Sequence, residues 1–381
     1  MKLLKLKTPS GFRMLEKDFE INFLTKTRID KNANNNDLLI LDDEYYYPIE
    51  TVFIGKNSSG KTTVLDLIMI VFEMLNTGRI SKSHFEYNDV FEFEALFYCK
   101  PHIFRYTAKM VNDGLADKSF LRIENESLTK TTFKDSYKKD LSNASFFKVD
   151  DFSPNIGGDT SAVAKYSKDG GFNYSLTLLD DSPLHFPLFY EWLGEDTFIK
   201  LIRLFDDSIE IVKPIKEENN KLNSFYFKRY SQLESTRVDL ITLQKILSGG
   251  TVRGVNLYAL SIIVFLTGGH IIVDEIERNF NRNLVENLLL MFNDKDINKK
   301  DGSIIYSTHY SELLDVGNRC DNVNVLHRFD DVITLKNMHT DYNVRTDMAK
   351  SSQFNQNTFD TMINYHLLMD LKDSLRRKKV M

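Results

Sequence analysis

Residues 55–62 read Gly-Lys-Asn-Ser-Ser-Gly-Lys-Thr, a spacing whose chemistry is the capture of a phosphate chain. Gly55 and Gly60 let the backbone curl, so that the N–H groups of Asn57, Ser58, Ser59 and Gly60 can point at one anion. Lys61 would then reach the terminal phosphates, and the Thr62 hydroxyl would ligate a divalent cation, with Thr63 in the same binding set. A second group lies far downstream, where the apolar Ile271–Val273 runs into Asp274 and Glu275. Asp274 would hold the water shell of the cation. Glu275, one residue on, would point differently and could polarise an attacking water. A third group is Leu247–Thr251, in which Ser248, Gly249 and Gly250 precede an apolar run. Such a helix start is a second anion-binding surface. It is also what a plain helix cap by Ser248 would look like.

These residues work only if particular elements position them. Thr51–Ile54 is a short apolar run and Val64–Leu75 is apolar nearly all round, so the order strand, glycine loop, buried helix is predicted. Ile271–Val273 and Ser303–Tyr306 read as buried strands, and Leu284–Phe292 as a helix between them. Strands alternating with helices imply a parallel sheet, which delivers ligand-binding residues at the carboxyl ends of its strands. Residues 1–24 alternate around a Pro9–Gly11 turn and read as a hairpin. Phe91–Tyr98 and Phe104–Met110 read as another strand pair. Asp30–Asp37, Lys130–Lys139, Pro154–Asp159 and Lys168–Phe172 are polar or turn-forming. Phe146–Phe152 and Phe225–Tyr230 are aromatic–basic clusters. They fit either half-buried strands or a surface for a partner or nucleic acid.

The chain has 381 residues, a net charge of −5, and a composition 42% hydrophobic and 27% charged. That is ample material for a core and excludes a basic nucleic-acid coat, though not a local basic groove. The 28 Phe and 17 Tyr argue against bulk disorder. Cys99 and Cys320 offer neither metal spacing nor a disulfide framework, so a cytoplasmic location is expected. The basic N-terminus lacks the apolar stretch of a signal peptide. The longest apolar run, about Val255–Leu266, is too short for a bilayer, so no membrane partner is expected. No sustained heptad or internal repeat is present, which speaks against a long coiled coil.

Taken together, GKNSSGKTT, LSGGTVRG, IIVDEIERNF and IIYSTHYSELL resemble the ABC-class P-loop ATPases of the SMC/RecF/OLD-like group. More narrowly, they resemble the AAA15/AAA21-type ATPases of bacterial anti-phage systems. Thr251 fits the LS-x-GT signature of that group, and Val344–Phe354 is similar to its C-terminal stretch. The resemblance implies an α/β ATPase head with an N-terminal β-hairpin lobe, carrying an α+β insertion. Residues 1–75 would form the P-loop lobe and 76–240 an insertion for partner recognition. Residues 241–381 would form the lobe with signature, Walker B acids and switch histidine. The resemblance implies ATP and Mg²⁺ as cofactors. Lys61, Glu275 and His309 would be the catalytic set, with His309 contacting the γ-phosphate, and Thr62 and Asp274 would be the metal ligands. Ser248–Gly250 would complete the site of an opposite subunit, which requires a homodimer with nucleotide between its heads, or a higher oligomer.

The sequence departs from the family in two places. Asn281-Arg282 stand where a histidine–proline pair is usual, and no Q-loop glutamine is assignable. Arg13 would approach the nucleotide by analogy with related ATPases, or is a plain surface arginine. About 70 residues follow His309, too few for a Toprim nuclease, so a separate effector protein (Toprim, HNH or another toxin) is expected as partner. A RecF-like DNA-binding ATPase of repair or replication is the alternative, with DNA as partner. The 187 positions between Lys61 and Ser248, with the missing Q-loop, disfavour a transporter subunit.

Overall fold

The computed structural model describes residues 1–30, 35–42, 45–86, 89–114, 119–132, 147–149, 161, 163, 175–177, 183–215, 224–278, 281–317, 319–361 and 365–377. The chain begins with β1 (Lys2–Thr8) and β2 (Phe19–Asn22), which pair antiparallel across the predicted turn. A small hairpin, β3 (Leu38–Asp42) and β4 (Tyr45–Pro48), leads into β5 (Glu50–Gly55) and the helix α1 (Lys61–Thr77). Next come β6 (Val90–Cys99), β7 (His102–Val111), β8 (Arg122–Thr132) and the short β9 (Lys148–Val149) and β10 (Ser175–Thr177). The following unit holds α2 (Phe186–Leu193), α3 (Glu195–Phe205), β11 (Ile209–Ile215), β12 (Ser224–Arg229), β13 (Thr236–Asp239) and α4 (Leu240–Ile246). The last third holds α5 (Gly249–Thr267), β14 (His270–Val273), α6 (Arg282–Phe292), β15 (Ser303–Ser307), β16 (Val323–Phe329), β17 (Val332–Asn337), α7 (Lys350–Asn355) and α8 (Tyr365–Arg377).

Two six-stranded sheets face each other across α1. One is antiparallel, in the order β2-β1-β6-β7-β8-β9. The other runs β10-β14-β15-β5-β16-β17, parallel except for its β17 edge. The period-2 alternation of strands explains the layering. Phe53, Ile272, Ile305 and Leu326 face α1 and the antiparallel sheet. Val52, Ile54, Ile271, Val273, Ile304 and Tyr306 face the opposite layer, built on α5, α3 and α6. Because α1 is clamped between sheets, it buries Val64, Leu65, Leu67, Ile68, Ile70, Val71, Phe72, Met74 and Leu75, which accounts for its apolar surface all round.

The N-terminal sheet departs from the sequence-based division of the chain. Strand β6 lies in the 76–240 stretch expected as an insertion, yet it pairs antiparallel with β1, Leu6 opposite Ala95. Strands β7 and β8 continue the same sheet. Burial is the reason: β1 cannot cover α1 alone, and Phe91, Phe93, Ala95 and Phe97 of β6 complete that core. A boundary at residue 75 therefore cuts through one sheet. Phe225 and Phe227 of β12 are buried while Tyr226 and Tyr230 are exposed, with Lys228 and Arg229 paired to Glu210 and Asp206, so this cluster is a half-buried strand. Residues 133–139, 154–159 and 168–172, most of 146–152, and 31–34 within the Asp30–Asp37 loop lie outside the described residues. Helix α5 is long and apolar enough to cross a membrane by length and composition, but 72% of that window is buried, as befits the central helix of a core.

Candidate nucleotide site

Strands β5, β14 and β15 are adjacent and parallel, so Gly55, Asp274 and Ser307 emerge together at their carboxyl ends. The loop after β5 is shaped by two glycines. Gly60 takes φ +100° and caps α1, and a Cβ there would lie 2.5 Å from Ile333 Cδ1. A Cβ on Gly55 would lie 2.6 Å from the Leu326 carbonyl oxygen. Only glycine lets β16 and β17 pack this closely beneath the loop. Ser58 also adopts a positive φ of 64°. The loop curls back on itself through Ser59 N–H, which donates to the Lys56 carbonyl at 3.1 Å.

Lys61 is buried, and its ammonium donates to the carbonyls of Gly55 and Lys56, each at 3.0 Å. Burial pushes this ammonium below its ordinary range, against the pull of Asp274, Glu275 and Glu277. The next residue, Thr62, donates its hydroxyl to Asp274 Oδ2 at 2.6 Å. Thus the two residues read from the sequence as metal ligands, 212 positions apart, meet in space. Two oxygens of this kind suit a hard divalent cation. Thr63 follows in the first turn of α1.

The acid turn is held from three sides. Ser307 at the end of β15 donates to Asp274 Oδ1 at 2.5 Å and accepts the Glu275 N–H at 2.8 Å. Arg253 on α5 donates to the carbonyls of Asp274 and Glu275, at 2.9 and 3.3 Å. Glu277 accepts from the Thr308 hydroxyl at 2.8 Å and from the His309 N–H at 2.7 Å. Under these restraints Glu275 adopts φ 48°, a conformation costing about 1–3 kcal/mol for a non-glycine residue. The restraints leave the Glu275 carboxylate half-exposed, 3.7 Å from His309 Nε2. Of the expected catalytic set, Glu275 thus lies beside His309, and its charge acts on the Lys61 ammonium.

Other predicted positions fall elsewhere. Ser248 caps α5, its hydroxyl accepting the Thr251 N–H at 3.0 Å and lying 2.8 Å from Thr251 Oγ1. Gly249 has open space around it, with no atom within 4 Å of a would-be Cβ. The signature is thus an exposed helix start, engaged locally rather than with the P-loop of its own chain. Arg13 pairs with Asp66 of α1 at 2.6 Å and lies over the Phe12 ring. Asn281 caps α6 by accepting the Asn283 N–H, and Arg282 pairs with Glu286, so the departure from the usual histidine–proline pair builds a helix start. Lys56 of the loop reaches Asp360 in the tail at 3.3 Å.

Sequence reading missed Ser307, Glu277 and Arg253 as site-building residues. Arg253 left a readable signal, because it is a lone charge inside an otherwise apolar helix. Glu277 and Ser307 left none, since their roles depend on the β14–β15 register.

No curated protein matches the chain. A crystal structure of the SmcHead bound to the C-winged helix domain of ScpA is similar, with a TM-score of 0.50 and 13% identity, covering 88% of this chain and 97% of that one. The similarity is one of fold: the chain shares the α/β architecture of that SMC head. The family described as "AAA domain, putative AbiEii toxin, Type IV TA system" matches residues 51–315, a span running from β5 through the Gly55–Thr62 loop, Leu247–Thr251 and the Asp274–Glu275 turn to beyond His309. The chain belongs to that family of AAA/ABC-type P-loop ATPases.

Proposed function

We propose that the protein binds Mg-ATP and hydrolyses it, that two heads close around nucleotide, and that this cycle controls a separate nuclease or toxin in bacterial anti-phage defence. The observation that carries the chemistry is the Thr62–Asp274 contact at 2.6 Å, with the half-exposed Glu275 one residue away. The residues fit the nucleotide and its cation. The loop presents a glycine-shaped cradle, Ser59 Oγ is buried there without a partner among the described residues, and Thr62 and Asp274 supply oxygen donors suited to magnesium.

Thr62 and Asp274 would hold the cation, which when bound neutralises charge on the phosphate oxygens. Lys61 would exchange a backbone carbonyl for the β- and γ-phosphates. Glu275 is placed to accept a proton from the attacking water, and His309 stands beside it at 3.7 Å. The exposed helix start at Ser248–Gly250 favours the dimer, because its N–H groups can serve an anion brought by a second copy. The expected effector finds support in the SMC-head structure, in which a head of this fold holds a domain of another protein.

The test is phosphate release from ATP by the purified protein, with and without Mg²⁺. Magnesium-dependent turnover that disappears in Lys61→Ala supports the reading. A wild-type protein that binds ATP but shows no turnover with Mg²⁺ overturns hydrolysis as its function.

A further inference from the structure

Glu277 lies two residues beyond the proposed general base and is 8% exposed. A buried carboxylate must have its oxygens satisfied, and here both are used on one segment. Oε2 accepts from the Thr308 hydroxyl at 2.8 Å and Oε1 from the His309 N–H at 2.7 Å. Thr308 is tied further, its N–H donating to the Phe53 carbonyl of β5 at 3.2 Å and its hydroxyl accepting the Tyr310 N–H at 3.0 Å. The acid turn in turn is fixed to β15, the Ile276 N–H donating to the Ser307 carbonyl at 3.1 Å. Glu277 is therefore a brace between the turn that carries Glu275 and the segment that carries His309. It sets the backbone of His309 while leaving the imidazole 3.7 Å from the Glu275 carboxylate.

We infer that Glu277 is the positioning residue that holds His309 in register with Glu275 for the chemical step, without itself touching nucleotide. The inference rests on the hydrolysis reading above. Charge-assisted hydrogen bonds donated to a buried carboxylate are strong and directional. A misplacement of a catalytic group by about 1 Å can cost on the order of 100-fold in rate. Nucleotide affinity would depend instead on Lys61, the loop amides and Thr62; Glu277 acts on Lys61 through its charge, behind Asp274 and Glu275, while its own hydrogen bonds go to Thr308 and His309.

The experiment compares Glu277→Ala, Glu277→Gln, Thr308→Val and His309→Ala for kcat, for affinity toward a non-hydrolysable ATP analogue, and for the urea unfolding midpoint. Glu277→Ala is expected to lose about 10- to 100-fold in kcat with analogue affinity held within about twofold. Glu277→Gln keeps one acceptor for the His309 N–H and is expected to recover part of the loss. In a double-mutant cycle, adding Glu277→Ala to His309→Ala should cost little more, because the brace acts through that histidine. If Glu277→Ala does not fold, Glu277→Gln and Thr308→Val carry the same comparison. Unchanged kcat, or kcat and affinity falling together, or full additivity with His309→Ala would overturn the inference. An inactive wild-type protein would instead sink the hydrolysis reading itself.

Discussion

Glu50 opens β5, the strand that ends at the phosphate-binding loop, and its replacement by glutamine has a calculable, pH-dependent effect. The side chain is buried, and burial raises its pKa from 4.5 to about 7, offset in part by the hydrogen bond from Asn293 at 2.7 Å and by Lys350. A carboxyl with a raised folded-state pKa binds its proton more tightly in the folded state. The stability it contributes is complete below pH 4.5 and is lost as pH rises toward about 7. The linkage amounts to about 3 kcal/mol once both states are ionised, at about 1.4 kcal/mol per pKa unit, and most of it develops between about pH 5 and pH 8. Glutamine removes the charge while keeping an oxygen for Asn293. Its new amide would enter a small cavity where Asn322 Oδ1 and Asn293 Oδ1 lack partners among the described residues. Urea unfolding at pH 5 and pH 8 measures the difference. Glu50→Gln should exceed wild type at pH 8 by some 2–3 kcal/mol more than at pH 5. Glu50 is five residues from Gly55, roughly 17 Å along the strand, so ATP turnover should be unaffected. A gap between variant and wild type that does not change with pH would refute the reasoning.

Three further outcomes follow from the site. Asp274→Ala and Thr62→Ala each remove one oxygen of the cation pair and should abolish the magnesium-dependent part of nucleotide affinity, read by fluorescent-nucleotide titration with and without EDTA. Arg253→Met removes the hydrogen bonds that hold the Asp274 and Glu275 carbonyls. It should lower kcat and also cost about 1.5–3 kcal/mol of stability, the worth of one hydrogen bond from a charged group, since a single guanidinium nitrogen serves both carbonyls. Ser248→Ala removes the cap of α5 at a cost of about 1 kcal/mol. Its ATPase activity should fall more than its stability, as measured by turnover against protein concentration.

The parts legible in the sequence are those whose chemistry is encoded in contiguous residues. The loop Gly55–Thr62 announces itself because glycine at φ +100° and a lysine at the start of a buried helix have few other uses. The Asp274–Glu275 pair follows, since an apolar strand ending in acids needs only its neighbouring loop for meaning. The partnership of β6 with β1 was not legible. Alternation in Phe91, Phe93, Ala95 and Phe97 declares a strand with one buried face, but not which edge it joins across some 90 residues of chain. The brace at Glu277 and the relay at Ser307 were hidden for a related reason: they exist only through the parallel register that sets Val273 against Tyr306. Helix α8 has the pattern of a packed helix, yet Leu367, Leu371 and Leu375 are exposed, which periodicity alone could not tell from burial.

The most direct test of the account is the behaviour of Glu275→Gln with Mg-ATP. This change removes the proposed proton acceptor while keeping the hydrogen bond from the residue-275 N–H to Ser307 and the Thr62–Asp274 pair. Light scattering on a sizing column should show the variant moving from monomer to nucleotide-bound dimer on addition of Mg-ATP, with turnover reduced by about 100-fold or more. A variant that stays monomeric with ATP bound, or that hydrolyses at the wild-type rate, would contradict the central claim.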